Sequence, residues 1–224
     1  MSRAPTLARA VVAEVLGTAF LLAAVVGSGI MAEKLSGGNS GLALLANAIA
    51  TGGALVALIL TYGPISGAHF NPIVTLSAAL RRLLGWKETI AYLAAQIVGA
   101  VLGVWLAHFM FGLPIIEASG HARSTVGEWG GEFVATFGLI GLIIIGNRHS
   151  PGALPYAIAA YITGAYWFTS STSFANPAVT IARAMTDTFA GIEFGHVPGF
   201  ILAQVLGALA ATVIFEWMCA RQGP

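Results

Sequence analysis

Two short boxes of the pattern Asn-Pro-apolar-Val-Thr hold the polar groups of this sequence that are best placed to act on a small molecule. The first box is Asn71-Pro72-Ile73-Val74-Thr75, and the second, 105 residues later, is Asn176-Pro177-Ala178-Val179-Thr180. Asparagine is a good helix N-cap, and proline at the first helical position loses no hydrogen bond. Each box therefore predicts a short half-helix, over about 71–80 and 176–185. Free amide N–H groups at its positive dipole end would bind an oxygen of a neutral solute and oppose cations.

Catalytic chemistry is not indicated by the remaining polar residues. The single cysteine, Cys219, excludes an internal disulfide framework and a cysteine-based metal cluster. His69 has no serine or carboxylate at a spacing suited to nucleophilic catalysis, so we interpret it as a structural and pore-lining group. No His/Asp/Glu cluster has metal-ligand spacing. We expect no catalytic residues, no metal, no cofactor and no enzyme activity.

Composition places these boxes in a membrane protein. Apolar residues make up 57% of the 224 residues and charged residues 8%, whereas a soluble domain has about 25% charged residues. Such a chain cannot cover a water-facing surface, which excludes a soluble enzyme and a disordered chain. A net charge of +1 gives no reason to expect a nucleic-acid partner; the partner that the composition predicts is the lipid bilayer.

Six stretches are long and apolar enough to span a bilayer, which takes about 20 residues of helix. No linker separates a second domain, so residues 1–224 are expected to form a single membrane domain. The expected spans are Leu7–Met31, Leu42–Tyr62, Glu88–Phe111, Gly127–Gly146, Leu154–Thr169 and Val197–Ala220.

Basic residues in the short loops predict that both termini are cytoplasmic, since Lys and Arg are enriched on that side. With this orientation seven basic residues are cytoplasmic and three, Lys34, Arg123 and Arg183, lie on the other side. The cytoplasmic seven are Arg3, Arg9, Arg81, Arg82, Lys87, Arg148 and Arg221.

The chain is an internal duplication, with a first repeat over about 7–111 and a second over about 127–220. A span with a central glutamate (Glu14, Glu132), an Asn-Pro box and a span with a glutamine (Gln96, Gln204) follow in the same order in both. Three spans per repeat put the second copy in the membrane upside down, with the functional centre at the repeat interface. The two boxes are therefore expected to lie on re-entrant segments that meet from opposite faces.

With these features the sequence resembles the major intrinsic protein family, the aquaporins and aquaglyceroporins, over essentially its whole length. The resemblance implies an all-α membrane protein with six transmembrane helices plus two re-entrant half-helices, as an inverted 3+3 repeat in a right-handed bundle. It also implies a homotetramer in which every subunit has its own pore.

By position, the resemblance assigns the selectivity filter to Thr51, Gly164, Ser173 and Val179, four small uncharged residues. Nearly all members of the family have arginine where Val179 stands, and its loss resembles a bacterial offshoot associated with arsenic handling. Arg183 could reach back toward the pore, but we expect it to extend to the surface. Ile73 replaces the usual alanine and is expected to narrow the centre slightly. The backbone carbonyls that would guide solute are those of Gly67, Ala68, His69, Thr172, Ser173 and Phe174.

The two buried glutamates leave two functions open. Family resemblance favours a bracing role, in which Glu14 and Glu132 accept N–H bonds from the re-entrant loops. The leading hypothesis is then a passive channel, in the plasma membrane of a bacterium, for small uncharged solutes larger than water. Candidate solutes are glycerol, urea, arsenite or other neutral metalloid species and methylated arsenicals, with water passing too. The alternative is a proton-coupled secondary transporter that uses both glutamates.

Overall fold

A computed structural model describes residues 5–220 of the chain as eight α-helices and two 3₁₀ turns, with no β-strand in that range. Arg3 and Arg221 of the predicted cytoplasmic set lie outside the described residues. The helices are α1 (Leu7–Leu35), α2 (Ser40–Ser66), α3 (Pro72–Leu80), α4 (Trp86–Phe111), α5 (Val126–His149), α6 (Leu154–Phe168), α7 (Pro177–Arg183) and α8 (Val197–Cys219). The 3₁₀ turns are Pro151–Ala153 and Phe194–His196.

Six of these helices match the predicted spans, and α3 and α7 are the two predicted half-helices. Five helices are long and apolar enough to cross a membrane; α6 has 15 residues and follows the turn at Pro151–Ala153 directly. Helix α2 continues beyond the predicted end at Tyr62 to Ser66, although Pro64 lies in its last turn, and the left-handed Gly67 ends it. Helix α7 ends at Arg183, two residues before the predicted end.

Close helix pairs hold each repeat together, α1 with α4 in the first and α5 with α8 in the second. A Cβ atom added at Gly99 or Gly103 would overlap the backbone of α1, and one at Gly207 would overlap the Phe133 carbonyl of α5. These glycines are therefore required for close approach of the helix backbones. The repeats pack on each other through α2 with α6, and each half-helix also contacts the last long helix of the other repeat.

The half-helices enter the bundle from opposite faces. We call the face where α1 begins and α8 ends the terminal face, and the other the distal face. Helix α3 runs from the centre to the terminal face, where Arg81 follows it. Helix α7 runs from the centre to the distal face, where it ends at Arg183. The N-termini of α3 and α7 thus meet in the middle of the bundle.

Candidate functional site

The two Asn-Pro boxes contact each other directly at the centre. The side-chain amide of Asn71 donates to the carbonyl of Ala175 (2.7 Å), and that of Asn176 donates to the carbonyl of Phe70 (2.8 Å). Each asparagine also caps its own helix, as the Oδ1 atom accepts from the backbone N–H two residues later (3.0 Å in both). A side-chain amide has two N–H donors. One N–H of each asparagine is thus used between the boxes, and one is left for a solute.

Left-handed backbone precedes both boxes at equivalent positions. Gly67, Ala68 and Phe70 have φ of 85°, 50° and 49°, and their counterparts Thr172, Ser173 and Ala175 have 60°, 50° and 48°. Non-glycine residues in this region cost about 1–3 kcal/mol each and persist only where the surroundings hold them. The strained backbone leaves the carbonyls of the six predicted ladder residues free to accept from a solute, because no donor in residues 5–220 contacts them.

Glu14 holds the first strained loop in place. Its Oε1 accepts from the Ser66 hydroxyl (2.6 Å) and the His69 N–H (2.9 Å), and its Oε2 from the Phe70 N–H (2.7 Å) and the Gln96 amide (2.8 Å). Four donors saturate a carboxylate, and this one is fully buried.

Glu132 holds the second loop in the same way. It accepts from the N–H groups of Phe174 and Ala175 (both 2.8 Å) and from the Gln204 amide (2.6 Å). This carboxylate is also fully buried, and neither glutamate lines the central cavity. Contacts of this kind hold a loop, whereas a proton-coupling carboxylate must exchange protons with a water-filled path.

The glutamines extend both braces to the boxes. Gln96 and Gln204 each donate a second bond, to Thr75 and Thr180 (2.9 Å in both), and each threonine donates to the carbonyl of its box asparagine. His69 joins the first network through a 3.0 Å contact between its Nδ1 atom and the Thr75 hydroxyl. Its ring packs edge-on against Tyr92, an arrangement suited to a structural, pore-lining side chain.

A cavity of about 390 Å³ passes the boxes, and its lining reaches from Arg81 near the terminal face to Arg183 near the distal face. Both box asparagines line it. Helices α2 and α6 each contribute a stripe of residues at a spacing of four, which places each stripe on one helix face. These stripes are Thr51, Leu55 and Ile59 of α2 and Leu154, Ile158, Ile162 and Tyr166 of α6.

Three of the four predicted filter residues, Thr51, Ser173 and Val179, line this cavity, and Gly164 does not. Tyr166, two residues further along α6, lines it instead, and its hydroxyl lies 3.3 Å from that of Thr51. Two residues turn a helix by about 200°, so Gly164 and Tyr166 are on nearly opposite faces. The filter position in α6 was assigned by its distance in sequence from Asn176, which gave Gly164 and missed Tyr166. The four-residue spacing from Leu154 along α6 would have identified Tyr166.

Several other predicted positions are now placed. Five of the six ladder residues line the cavity, Thr172 being the exception. Ile73 packs with Ile140, Ile144, Ala208 and Ala211 and does not line the cavity, so the expectation that it narrows the centre was wrong. Residues 5–220 contain no group of three His, Cys, Asp or Glu side chains that could hold a metal ion.

The expectation that Arg183 extends to the surface was also wrong. Its side chain is buried, with 3% of the residue exposed, and lines the cavity. The Nε atom donates to the carbonyl of Ala190, and the guanidinium carbon lies 3.4 Å from the centroid of the Phe174 ring. The short loop after α7 folds back over the helix end and supplies this acceptor, so the side chain has no path to the interface.

Comparison with known proteins gives matches over most of the chain. The family described as major intrinsic protein matches residues 1–160. Aquaglyceroporin AqpS of Rhizobium meliloti (strain 1021) is 51% identical over 218 residues, which cover 97% of this chain and 93% of that protein. Aquaporin NIP1-1 of Oryza sativa subsp. japonica is 33% identical over 207 residues, 89% of this chain and 70% of that one.

A solved structure shares the fold. The X-ray structure of the aquaglyceroporin from Plasmodium falciparum superimposes with a TM-score of 0.75, covering 96% of this chain and 98% of that one. At 18% sequence identity, this match supports the architecture alone.

Proposed function

The chain belongs to the major intrinsic protein family and is an integral membrane channel rather than an enzyme, and we propose that its pore passes small hydroxylated or amide solutes as well as water. Glycerol, urea, arsenite or other neutral metalloid hydroxides and methylated arsenicals are the proposed solutes. The observation that carries the proposal is the lining of the distal end of the cavity. Thr51, Ser173 and Val179 are small there, and Tyr166 adds one aromatic wall with a hydroxyl.

The chemistry of this lining suits solutes that are part apolar and part polar. Aliphatic stripes of α2 and α6 face the carbon or metalloid side of a solute, while the ladder carbonyls and the remaining asparagine N–H groups face its hydroxyls. A water-only filter combines narrowness with a cationic donor at its narrowest point. The small side chain of Val179 supports a wider passage at this position than a long arginine would leave.

We also propose the setting in which the channel works. The seven-to-three distribution of basic residues supports cytoplasmic termini, and the bacterial relative supports a bacterial plasma membrane. Long helices leave apolar side chains exposed, such as Ile90 at 66% and Val213 at 71%, faces that lipid or further copies of the chain would cover. The family resemblance makes a homotetramer the expected assembly.

Proteoliposome swelling against a series of water, urea, glycerol and arsenous acid tests the solute proposal. We expect permeation by all four. Val179→Arg should then reduce glycerol and arsenous acid flux more than water flux, and Val179→Leu, which adds bulk without charge, should have a smaller effect. Exclusion of every solute larger than water by the wild-type protein would overturn the proposal. Equal loss of water and glycerol flux in Val179→Arg would place residue 179 outside the filter.

The same vesicles test the proton-coupled alternative, in which flux saturates with solute concentration and collapses when the pH gradient is removed. The burial of Glu14 and Glu132 and their hydrogen bonds to the loops support a flux that neither saturates nor needs a pH gradient.

A further inference from the structure

Within residues 5–220, the cation buried at the distal end of the cavity has no carboxylate partner. Arg183 lines the cavity, and its guanidinium group uses one N–H, at Nε, on the Ala190 carbonyl. Its two Nη atoms carry four more N–H donors. Within residues 5–220 these donors contact no acceptor, and no carboxylate oxygen lies within 4 Å of the group.

A second cation lies behind the first. Arg123, from the loop between α4 and α5, donates from Nε to the Gly191 carbonyl (2.9 Å), and its guanidinium carbon lies 5.2 Å from the centroid of the same Phe174 ring. Burial lowers the pKa of Arg123, while Glu128 and Glu132 act in the opposite direction, and an arginine remains charged at neutral pH. Two arginines therefore share one aromatic ring, and their positive potentials add at this mouth.

The cost of this arrangement argues for a function. A largely buried charge without an ionic partner is costly, and the aromatic contacts of both arginines recover only part of that cost. The terminal mouth shows the ordinary solution, where the Nε atom of Arg81 lies 2.5 Å from Glu216. The distal mouth leaves the charge facing the pore instead.

Solute-binding groups of the opposite kind lie at the same end of the cavity. Ser173 is buried, with 2% of the residue exposed, and its hydroxyl has no hydrogen-bond partner within the described part of the chain. The hydroxyls of Thr51 and Tyr166 complete a polar ring. A hydroxylated solute can accept from the Nη groups of Arg183 and donate to these oxygens.

We infer that Arg183, one helical turn beyond Val179, is the selectivity cation of this pore. It repels cations, protons included, and donates hydrogen bonds to solute oxygens, while the small side chain at position 179 leaves the passage open. The charge is thus moved along α7 away from the constriction, so that cation exclusion and a wide filter coexist. This inference rests on the proposed channel for solutes larger than water.

Vesicles loaded with a pH-sensitive dye test the inference when they are exposed to a pH jump, and swelling in methylammonium chloride reports a small organic cation. We expect the wild-type protein to pass glycerol and exclude both cations. Arg183→Gln should raise the methylammonium or proton flux about tenfold or more. The repulsion between the arginine charge and a permeating cation at low dielectric exceeds about 1.4 kcal/mol, which corresponds to a tenfold change in rate. Arg183→Lys keeps the charge and should exclude cations as the wild type does.

Three further variants separate charge from shape. Val179→Arg combined with Arg183→Gln returns a cation to the mouth and should restore exclusion, at reduced glycerol flux. Lys34→Gln removes an exposed charge near the same face and should match the wild type. Arg183→Met fills the space of the side chain without charge and replaces Arg183→Gln if that variant does not insert.

Unchanged cation exclusion in the uncharged variants would overturn the inference, as would an equal leak in Arg183→Lys. Failure of the wild type to pass glycerol would instead overturn the proposed function, so the two failures are distinguishable.

Discussion

The two repeats agree at the centre of the molecule and differ at its ends. At the centre, Glu14 and Glu132 each accept from an equivalent pair of loop N–H groups and an equivalent glutamine amide of their own repeat. Left-handed backbone also occurs at three equivalent positions. Each box asparagine donates to a carbonyl beside the other box, so a change in the box of one repeat also disturbs the box of the other repeat. This mutual contact gives a physical reason for the similarity of the two repeats at the centre.

The ends of the cavity face opposite solutions and do not contact each other. An arginine follows or ends each half-helix. Arg81 binds Glu216, which also binds Arg148 at 2.5 Å, whereas Arg183 lies on Phe174 and has no carboxylate partner in the described part of the chain. Divergence at a mouth changes what enters the pore without breaking the fold. From this comparison we expect selectivity to depend on the asymmetric distal mouth and stability on the symmetric centre.

Removal of either brace should give the largest effect on stability. Glu14→Ala leaves four donors without an acceptor and Glu132→Ala three, at about 1–3 kcal/mol for each buried unsatisfied group. We expect a loss of at least about 3 kcal/mol in the free energy of unfolding, larger for Glu14, with loss of glycerol flux. Thermal unfolding in detergent measures the first and vesicle swelling the second.

The glutamine variants at the same positions are the control for charge. Glu14→Gln and Glu132→Gln keep one acceptor oxygen and should retain more stability and flux than the alanine variants. A protein that stays as stable as the wild type but loses transport in the glutamine variants would contradict the bracing role and favour proton coupling.

Larger side chains at the equivalent helix–helix contacts of the two repeats should give the next largest loss of stability. Gly99→Leu and Gly207→Leu place side chains against the backbones of α1 and α5, and overpacking of this kind costs about 1–3 kcal/mol. Similar losses from both variants in detergent unfolding would agree with the symmetric centre. Gly53→Leu is the control, because an added Cβ there meets no atom within 4 Å. A loss confined to one repeat would show that the repeats are held together differently.

Substitution of Glu216 at the terminal mouth should lower the stability less than the changes at the centre. Glu216→Gln leaves Arg81 and Arg148 without their carboxylate, but the Glu216 side chain is 34% exposed, and water and salt screen such a group. We expect a loss of about 1 kcal/mol or less in unfolding free energy, diminishing as salt concentration rises. Glycerol flux should stay near the wild-type value. A change in cation exclusion as large as that from Arg183→Gln would contradict the assignment of selectivity to the distal mouth.

The symmetric features were predictable from sequence because a duplication shows them twice. The paired boxes, glutamates and glutamines predicted six spans, two half-helices and their meeting point. The asymmetric features have a single copy each. The position of Tyr166 depends on which face of α6 meets the cavity, and that of Arg183 on a loop carbonyl, at Ala190, that folds back over α7. Sequence spacing alone sets neither, because both depend on how the loops on either side of the half-helix are folded.

Strain in the two loops should give a small effect, of the same order as the change at the terminal mouth, and test the symmetry most finely. The first loop has glycine at φ 85° where the second has Thr172 at φ 60°, a conformation that β-branched residues rarely adopt. Thr172→Gly relieves about 1–3 kcal/mol of strain but adds about 0.5–1 kcal/mol of unfolded-chain entropy. We expect stabilisation of about 1 kcal/mol in detergent unfolding, whereas Gly67→Thr should destabilise by a similar amount. Destabilisation by Thr172→Gly would mean that the threonine side chain contributes contacts to the second loop that outweigh its strain, and that the loops are held by different interactions.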